Sequence, residues 1–160
     1  MKNMSLCYIE RDGAYLLLHR VKKENDLNRD KWIGIGGSFE ENESPEDCVL
    51  REAREETGLS LHAPRYCGIV TFVSDRWEGE YLHLVHATDF SGTLCDCDEG
   101  VLEWVPKERF YSLPQWAGDR IFLDLMERRV PFFSLKLRYE GEALREAVLN
   151  GKPLPIPGTP

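Results

Sequence analysis

Residues 37 to 59 read Gly37-Ser38-Phe39-Glu40-Glu41-Asn42-Glu43-Ser44-Pro45-Glu46-Asp47-Cys48-Val49-Leu50-Arg51-Glu52-Ala53-Arg54-Glu55-Glu56-Thr57-Gly58-Leu59. Ser44 can cap free amides, Pro45 stands where no donor is needed, and Glu46 and Asp47 face the positive end of a helix. Gly58 supplies the stop. Between them Val49, Leu50, Ala53 and Thr57 recur at helical spacing, the stripe expected against the core. At 100° per residue, Glu52, Glu55 and Glu56 fall within an arc of about 100° on one face, beside that stripe. Their mutual repulsion costs stability unless cations, or Arg51 flanking the same arc, offset it. A solvated acidic face explains the glutamates alone. It does not explain the glycine turn, the separate Glu43, the arginine among the acids and the glycine stop in one register.

Hard oxygen ligands in this density suit magnesium, with manganese as a substitute. Metals on a diphosphate neutralise its charge, orient the phosphates and acidify an attacking water.

Outward from the helix, Leu6 to Ile9 and Ala14 to Leu18 flank Asp12-Gly13 and predict a hairpin. Lys22 to Lys31 reads as a loop. Tyr66 to Val73 and Tyr81 to Ala87, joined through Trp77-Glu78-Gly79-Glu80, predict a second hairpin. Val101 to Val105 is a strand stopped by Pro106, Ile121, Phe122, Leu125 and Met126 mark a helix beginning near Asp119, and Phe132 to Tyr139 is a last core strand. Glu142 to Leu149 reads as a short helix, and the proline-rich end from Pro153 to Pro160 as an extended or mobile tail. The division expected is a domain over 1–140 and a C-terminal helix and tail over 141–160. With strands outnumbering helices out of strict alternation, the fold class is α+β.

The chain has 160 residues, one domain's worth, with 20 Lys and Arg against 28 Asp and Glu, a net charge of −8. Such a surface gains little from a nucleic acid polymer, so the expected partner is a small anionic molecule whose charge metal ions screen. The longest apolar run, Ala14 to Leu18, is far short of the roughly 20 residues that span a bilayer, so no membrane partner is expected. Five cysteines (Cys7, Cys48, Cys67, Cys95, Cys97) lack zinc-site spacing. No secretory segment is read, and the expectation is reduced thiols in a cytoplasmic protein. His83 and His86, three apart on a strand, point to opposite faces. Oligomeric state is not legible.

The segment from Gly37 to Leu59 resembles the Nudix box, with every defining position occupied. The resemblance extends over roughly residues 5 to 140 and is nearest to the MutT-like branch, in particular bacterial 8-oxo-dGTP diphosphatases. It implies a Nudix-type α/β/α sandwich around a mixed sheet. It also implies a magnesium-dependent hydrolase that cuts a purine nucleoside triphosphate to monophosphate and pyrophosphate, clearing oxidised nucleotides ahead of DNA repair. Metal contacts are implied for Glu52, Glu55 and Glu56, with the Gly37 carbonyl, and Arg51 and Glu43 look like the residues that hold loop and helix together. Glu99, in Asp98-Glu99, resembles a further metal ligand or base; an ordinary acidic turn is the alternative. Arg51 belongs with these carboxylates in the catalytic group, and Gly58 is structural.

For the substrate, the resemblance places Trp116 against the base and Asp119 at its edge, with Gly36 and Gly37 along the phosphates. The plainer alternatives are a tryptophan packed at a helix entrance and an aspartate helix cap. Leu27, Phe72 and Tyr81 are candidate pocket walls, and Arg20 a candidate phosphate contact. Ile33 stands where relatives carry a base-reading asparagine, and Gly118 replaces a second acid. Other substrates stay open for that reason: an unmodified nucleotide, a nucleotide sugar or a dinucleoside polyphosphate. A non-catalytic nucleotide-binding domain would be expected to lack a box carboxylate, and none is missing.

Overall fold

The structure is a computed structural model that describes residues 1–22 and 24–156. The chain opens with strands β1 (Lys2–Arg11) and β2 (Ala14–His19), joined at Asp12 and Gly13, whose φ of 50° and 76° are those of a tight hairpin turn. The short β3 (Trp32–Ile33) leads to helix α1 (Pro45–Thr57) and β4 (Leu59–Leu61). Strands β5 (Arg65–Ser74) and β6 (Glu80–Ala87) form the second hairpin, followed by β7 (Phe90–Gly92) and β8 (Val101–Pro106). Then come α2 (Lys107–Phe110), α3 (Asp119–Glu127), β9 (Phe133–Glu140), β10 (Ala143–Leu149) and β11 (Lys152–Leu154).

The main sheet runs β11-β10-β9-β5-β6-β1-β2-β3, with β8 also on β2; β4 and β7 make a separate pair. Two contacts, β1 with β6 and β5 with β9, are parallel and the rest antiparallel, so the sheet is mixed, as the resemblance implied. Each face carries its own core. Tyr8, Tyr15, Leu17, Leu84 and Leu135 pack with Phe122 and Met126 of α3, while Cys7, Ile9, Leu16, Leu18 and Val85 pack with Val49 and Ala53 of α1. A strand covered on both sides reads as an unbroken apolar run rather than an alternation, which accounts for Tyr15-Leu16-Leu17-Leu18. Helix on sheet on helix is the α/β/α sandwich.

Two expectations are corrected. Residues 143–149 form strand β10, not a helix. A bulge between Leu144 and Glu146 against β9 shifts the phase of the strand, so Leu144 and Ala147, three residues apart, both face inward. That spacing imitates a helical stripe. The Pro153 to Pro160 segment begins in β11, and its last four residues, 157–160, lie outside the described residues. On α1, Val49, Ala53 and Thr57 are buried as expected, but Leu50 is 40% exposed and Cys48 takes the inward place.

His83 and His86 do face apart, His83 bonding Tyr66 and Asn3 and His86 bonding Glu10. All five cysteines are free thiols. No helix of the described residues is long and apolar enough to cross a membrane.

Candidate active site

The loop after β3 turns back along β1. Ile35 exchanges backbone hydrogen bonds with Cys7, and the Gly37 carbonyl accepts from the Ser5 N–H at 2.9 Å. Helix α1 is launched beside it by the cap the sequence spelled: the Ser44 hydroxyl accepts from the Asp47 N–H at 3.1 Å and the Asp47 carboxylate accepts from the Ser44 N–H at 3.0 Å. At the other end Gly58 adopts φ 80° and its N–H closes on Arg54. Loop and helix are so close that a Cβ on Gly37 would lie 2.6 Å from the Glu52 carboxyl and would push that carboxyl from its place.

Arg51 ties the unit together. Its Nε and one terminal nitrogen donate to both oxygens of Glu43, at 2.7 and 2.9 Å, and that second nitrogen also donates to the Ser38 carbonyl. The other terminal nitrogen donates to Glu52 at 2.8 Å and Glu55 at 3.1 Å. This fork-on-fork contact, with the Glu40 amide, holds the Glu43 carboxyl down to about 2. A carboxyl lowered on folding stabilises fully above its ordinary 4.5, and that stabilisation is lost as pH falls through about 2. Glu43→Gln is therefore expected to melt below the parent at neutral pH and to converge on it between pH 4.5 and 2, as followed by circular dichroism. A gap that stays constant to pH 2 contradicts the ion pair.

Glu52 and Glu56 face a cleft of about 510 Å³, together with Gly36, Gly37, Arg20 and Glu99. Glu99 arrives from the loop before β8, tens of residues away in sequence. Burial raises the Glu52 carboxyl, with Glu55 and Glu99 adding to it and Arg51 opposing. Burial first, then the charges of Glu99 and Glu52, push the Glu56 carboxyl up to about 9. Glu56 shares a hydrogen bond with Glu99 and accepts from the Gly36 N–H at 3.3 Å. Arg20 donates at 2.6 Å both to Glu99 and to the buried Asp26, so the guanidinium offered as a phosphate contact is committed to fixing Glu99. Glu55, with its side chain 59% exposed, stands outside the cleft wall, held by Arg51.

The donor set suits a hard divalent cation, since acids pressed together until one retains its proton are relieved by positive charge. Among the described residues no three His, Cys, Asp or Glu side chains stand as a closed metal cluster; Arg51 and Arg20 compensate Glu52 and Glu99 instead.

Beside the cleft lies an apolar cavity that collects Leu27, Ile33, Phe72, Trp116 and Asp119 from four separate stretches of chain. Trp116 meets Phe72 and Tyr139 edge-on at 5.5 and 4.9 Å, its indole N–H donates to Asn28 at 2.8 Å, and the Lys31 ammonium lies 4.6 Å from its ring centre. Lys31 is in turn paired with Glu142 of the β9–β10 turn. Asp119 opens α3 but caps nothing with its side chain; burial pushes its carboxyl up to about 8, against the pull of Lys31. Gly118 carries no acid because a Cβ there would stand 2.4 Å from Leu137 and 2.7 Å from the Tyr139 hydroxyl. Tyr81 is not a pocket wall. It points to the other side of β6 and is 40% exposed.

Three residues escaped the sequence reading: Asn28, Asp26 and Glu80. The first two sit in the polar loop, where spacing carries no signal. Glu80 had one, because it precedes Leu82 and Leu84 at strand period and so belongs to an inward face.

Against known proteins, residues 2–126 match the NUDIX domain. The chain is 32% identical to the CTP pyrophosphohydrolase of Escherichia coli (strain K12) over 113 residues, 69% of this chain and 80% of that one. It is 26% identical to the oxidized purine nucleoside triphosphate hydrolase of Danio rerio over 135 residues, 82% and 83% of the two chains. The MutT protein of Bacillus halodurans superposes with a TM-score of 0.82 at 25% identity, covering 96% of this chain and all of that one. Hydrolases of this family generally use divalent metal ions. With the box assembled against a cleft and these likenesses along most of its length, the chain belongs to the Nudix hydrolase family, in its MutT-like branch, and acts on pyrophosphate bonds of nucleotide substrates.

Proposed function

We propose that this enzyme is a magnesium-dependent nucleoside triphosphate diphosphatase. Its substrate is a purine nucleotide, an oxidised one of the 8-oxo-dGTP kind, and its products are nucleoside monophosphate and pyrophosphate. The observation that carries this reading is the continuity of the two cavities: the one holding Trp116 and Asp119 shares walls with the carboxylate cleft. A base in the first places its phosphates in the second. Similarity to the Danio rerio hydrolase supports an oxidised purine.

Glu52, Glu56 and Glu99, with Glu55 and the Gly37 carbonyl at the margin, would hold magnesium, which supplies charge neutralisation on the phosphates and a more acidic water. Gly36 orients the Glu56 carboxyl and Arg20 orients Glu99. Leu27, Ile33 and Phe72 exclude water from the base. The Asp119 carboxyl, protonated up to about 8, has no hydrogen-bond partner among the described residues; it can donate to a purine acceptor or, once ionised, accept from a ring N–H.

A second reading keeps the chemistry and changes the base. Ile33 offers no polar atom, and the likeness to a CTP pyrophosphohydrolase favours including a pyrimidine. The test is a panel of oxidised and normal purine triphosphates, CTP, a nucleotide sugar and a dinucleoside polyphosphate, ranked by kcat/KM with products identified. An oxidised purine triphosphate is expected to lead and to yield pyrophosphate; CTP in first place transfers the assignment. On the preferred purine, Trp116→Ala is expected to lose about 1–3 kcal/mol of base contact, roughly 5- to 150-fold in kcat/KM. An unaffected ratio removes Trp116 from the base site.

A further inference from the structure

The sheet face that floors the base cavity is apolar in every row but one. Leu6 of β1, Val70 and Phe72 of β5, Leu82 of β6 and Leu137 of β9 all line it. Glu80 lies two residues before Leu82 on β6, in register with Phe72, so the strand period turns its side chain to the same face. It is only 9% exposed. No hydrogen bond or ion pair joins the Glu80 side chain to another described residue, and the cation nearest in register, Lys2, is paired with Glu78 at 3.5 Å. Burial raises the Glu80 carboxyl, Lys2 opposing and Glu78 assisting. A carboxyl so placed costs stability that an apolar residue would not, and such a break in an otherwise consistent pattern marks a functional position.

The position has a particular meaning here. Glu80 lines both the base cavity and the carboxylate cleft. Of the six described residues that do, Leu6, Leu27, Ile33 and Leu82 are aliphatic, and the Asn28 carbonyl is taken by the Trp116 indole. That leaves Glu80 as the side chain whose carboxyl oxygens are untaken, where Asn28 has only its amide N–H groups to offer. The part of a nucleotide that joins base to phosphates is its sugar, and the sugar's only hydrogen-bond donors are its hydroxyls, since the ring oxygen merely accepts.

We propose that the Glu80 carboxyl hydrogen-bonds a sugar hydroxyl of the bound nucleotide, so that this enzyme discriminates among nucleotides by their sugar as well as their base. The assignment rests on the reading that the base occupies the Trp116 cavity. A site that hydrogen-bonds a substrate hydroxyl disfavours the analogue lacking it, because its own buried polar group is then left without a partner.

The test compares ribo-, 2′-deoxy- and 3′-deoxy-nucleoside triphosphates of one purine on the full-length enzyme, the parent against Glu80→Leu and Glu80→Gln. The parent is expected to favour the nucleotide carrying the recognised hydroxyl by roughly 10- to 100-fold in kcat/KM, and the deoxy arm that loses this advantage identifies the hydroxyl. In Glu80→Leu the ratio should collapse towards one, with Glu80→Gln retaining part of it. Thermal melts verify that both variants fold; Leu at this apolar position should melt no lower than Glu. A parent indifferent to the sugar, or a preference that survives in Glu80→Leu, overturns the proposal while leaving the nucleotide reading intact. A change in base ranking at constant sugar reassigns Glu80 to the base and overturns it equally. If the parent turns over no triphosphate and calorimetry detects no nucleoside monophosphate binding, the nucleotide reading itself fails and this assignment with it.

Discussion

Glu56→Gln is expected to lower turnover by about 10²- to 10⁴-fold while the fold stays intact. Glutamine keeps the shape of the side chain and its carbonyl can still accept from the Gly36 N–H, so the loop–helix contact survives. What it removes is a carboxyl able to ionise and meet a cation beside Glu99 and Glu52 in the cleft. The effect on stability has the opposite sign. A carboxyl raised on folding stays protonated while the unfolded chain ionises, so stability declines as pH rises from the ordinary 4.5 to about 9. In chelator-treated protein the variant should therefore melt no lower than the parent, with a lead that grows over that range. Pyrophosphate release with magnesium present, and thermal melts across pH, measure both. Full activity in the variant removes Glu56 from the mechanism.

Arg51→Gln should fail differently, through structure first. One guanidinium engages Glu43, Glu52 and Glu55 and a backbone carbonyl, and without it Glu52 and Glu55 on the helix and Glu43 before it stand uncompensated. The Arg51 side chain is 20% exposed, so the cost lies below that of a fully buried pair, at about 1–3 kcal/mol. That corresponds to a fall of roughly 2–12 °C in Tm for a domain of this size. Arg51→Lys should recover little, since an ammonium cannot grip both oxygens of Glu43 while reaching Glu52. A variant that melts with the parent shows that the network carries no stability.

The two substitutions also separate what was readable from what was not. The arc of Glu52 and Glu56 follows from helix period alone, and so does the reach of Arg51 to Glu55. Glu55 itself defeats the simple arc. It shares the face by angle, yet ends at its rim, 59% exposed, while the loop at Gly37 packs against Glu52. Leu50 also fails: its spacing fits the stripe, but the buried arc stops short of it at Thr57 and extends on its other side to Cys48.

β10 shows a deeper limit. Leu144 and Ala147 carry a helical interval that a bulge against β9 produces, and the spacing within β10 does not record that its partner strand skips a residue there.

By itself, then, the sequence determined the loop and helix from Gly37 to Leu59, because caps, turns and helix period act within a few residues of one another. It also determined the two hairpins, whose turns are local. The tertiary structure alone decided that Arg20, Asp26 and Glu99 meet Glu56, and that Asn28, Phe72, Glu80, Trp116 and Asp119 close on one cavity. Those residues converge through pairings between distant strands: β2 with β8 brings Glu99 to Arg20, and the parallel β1 with β6 and β5 with β9 build the floor of the cavity. Such pairings join segments distant in the chain and draw their stability from packing across the finished sheet rather than from any local pattern.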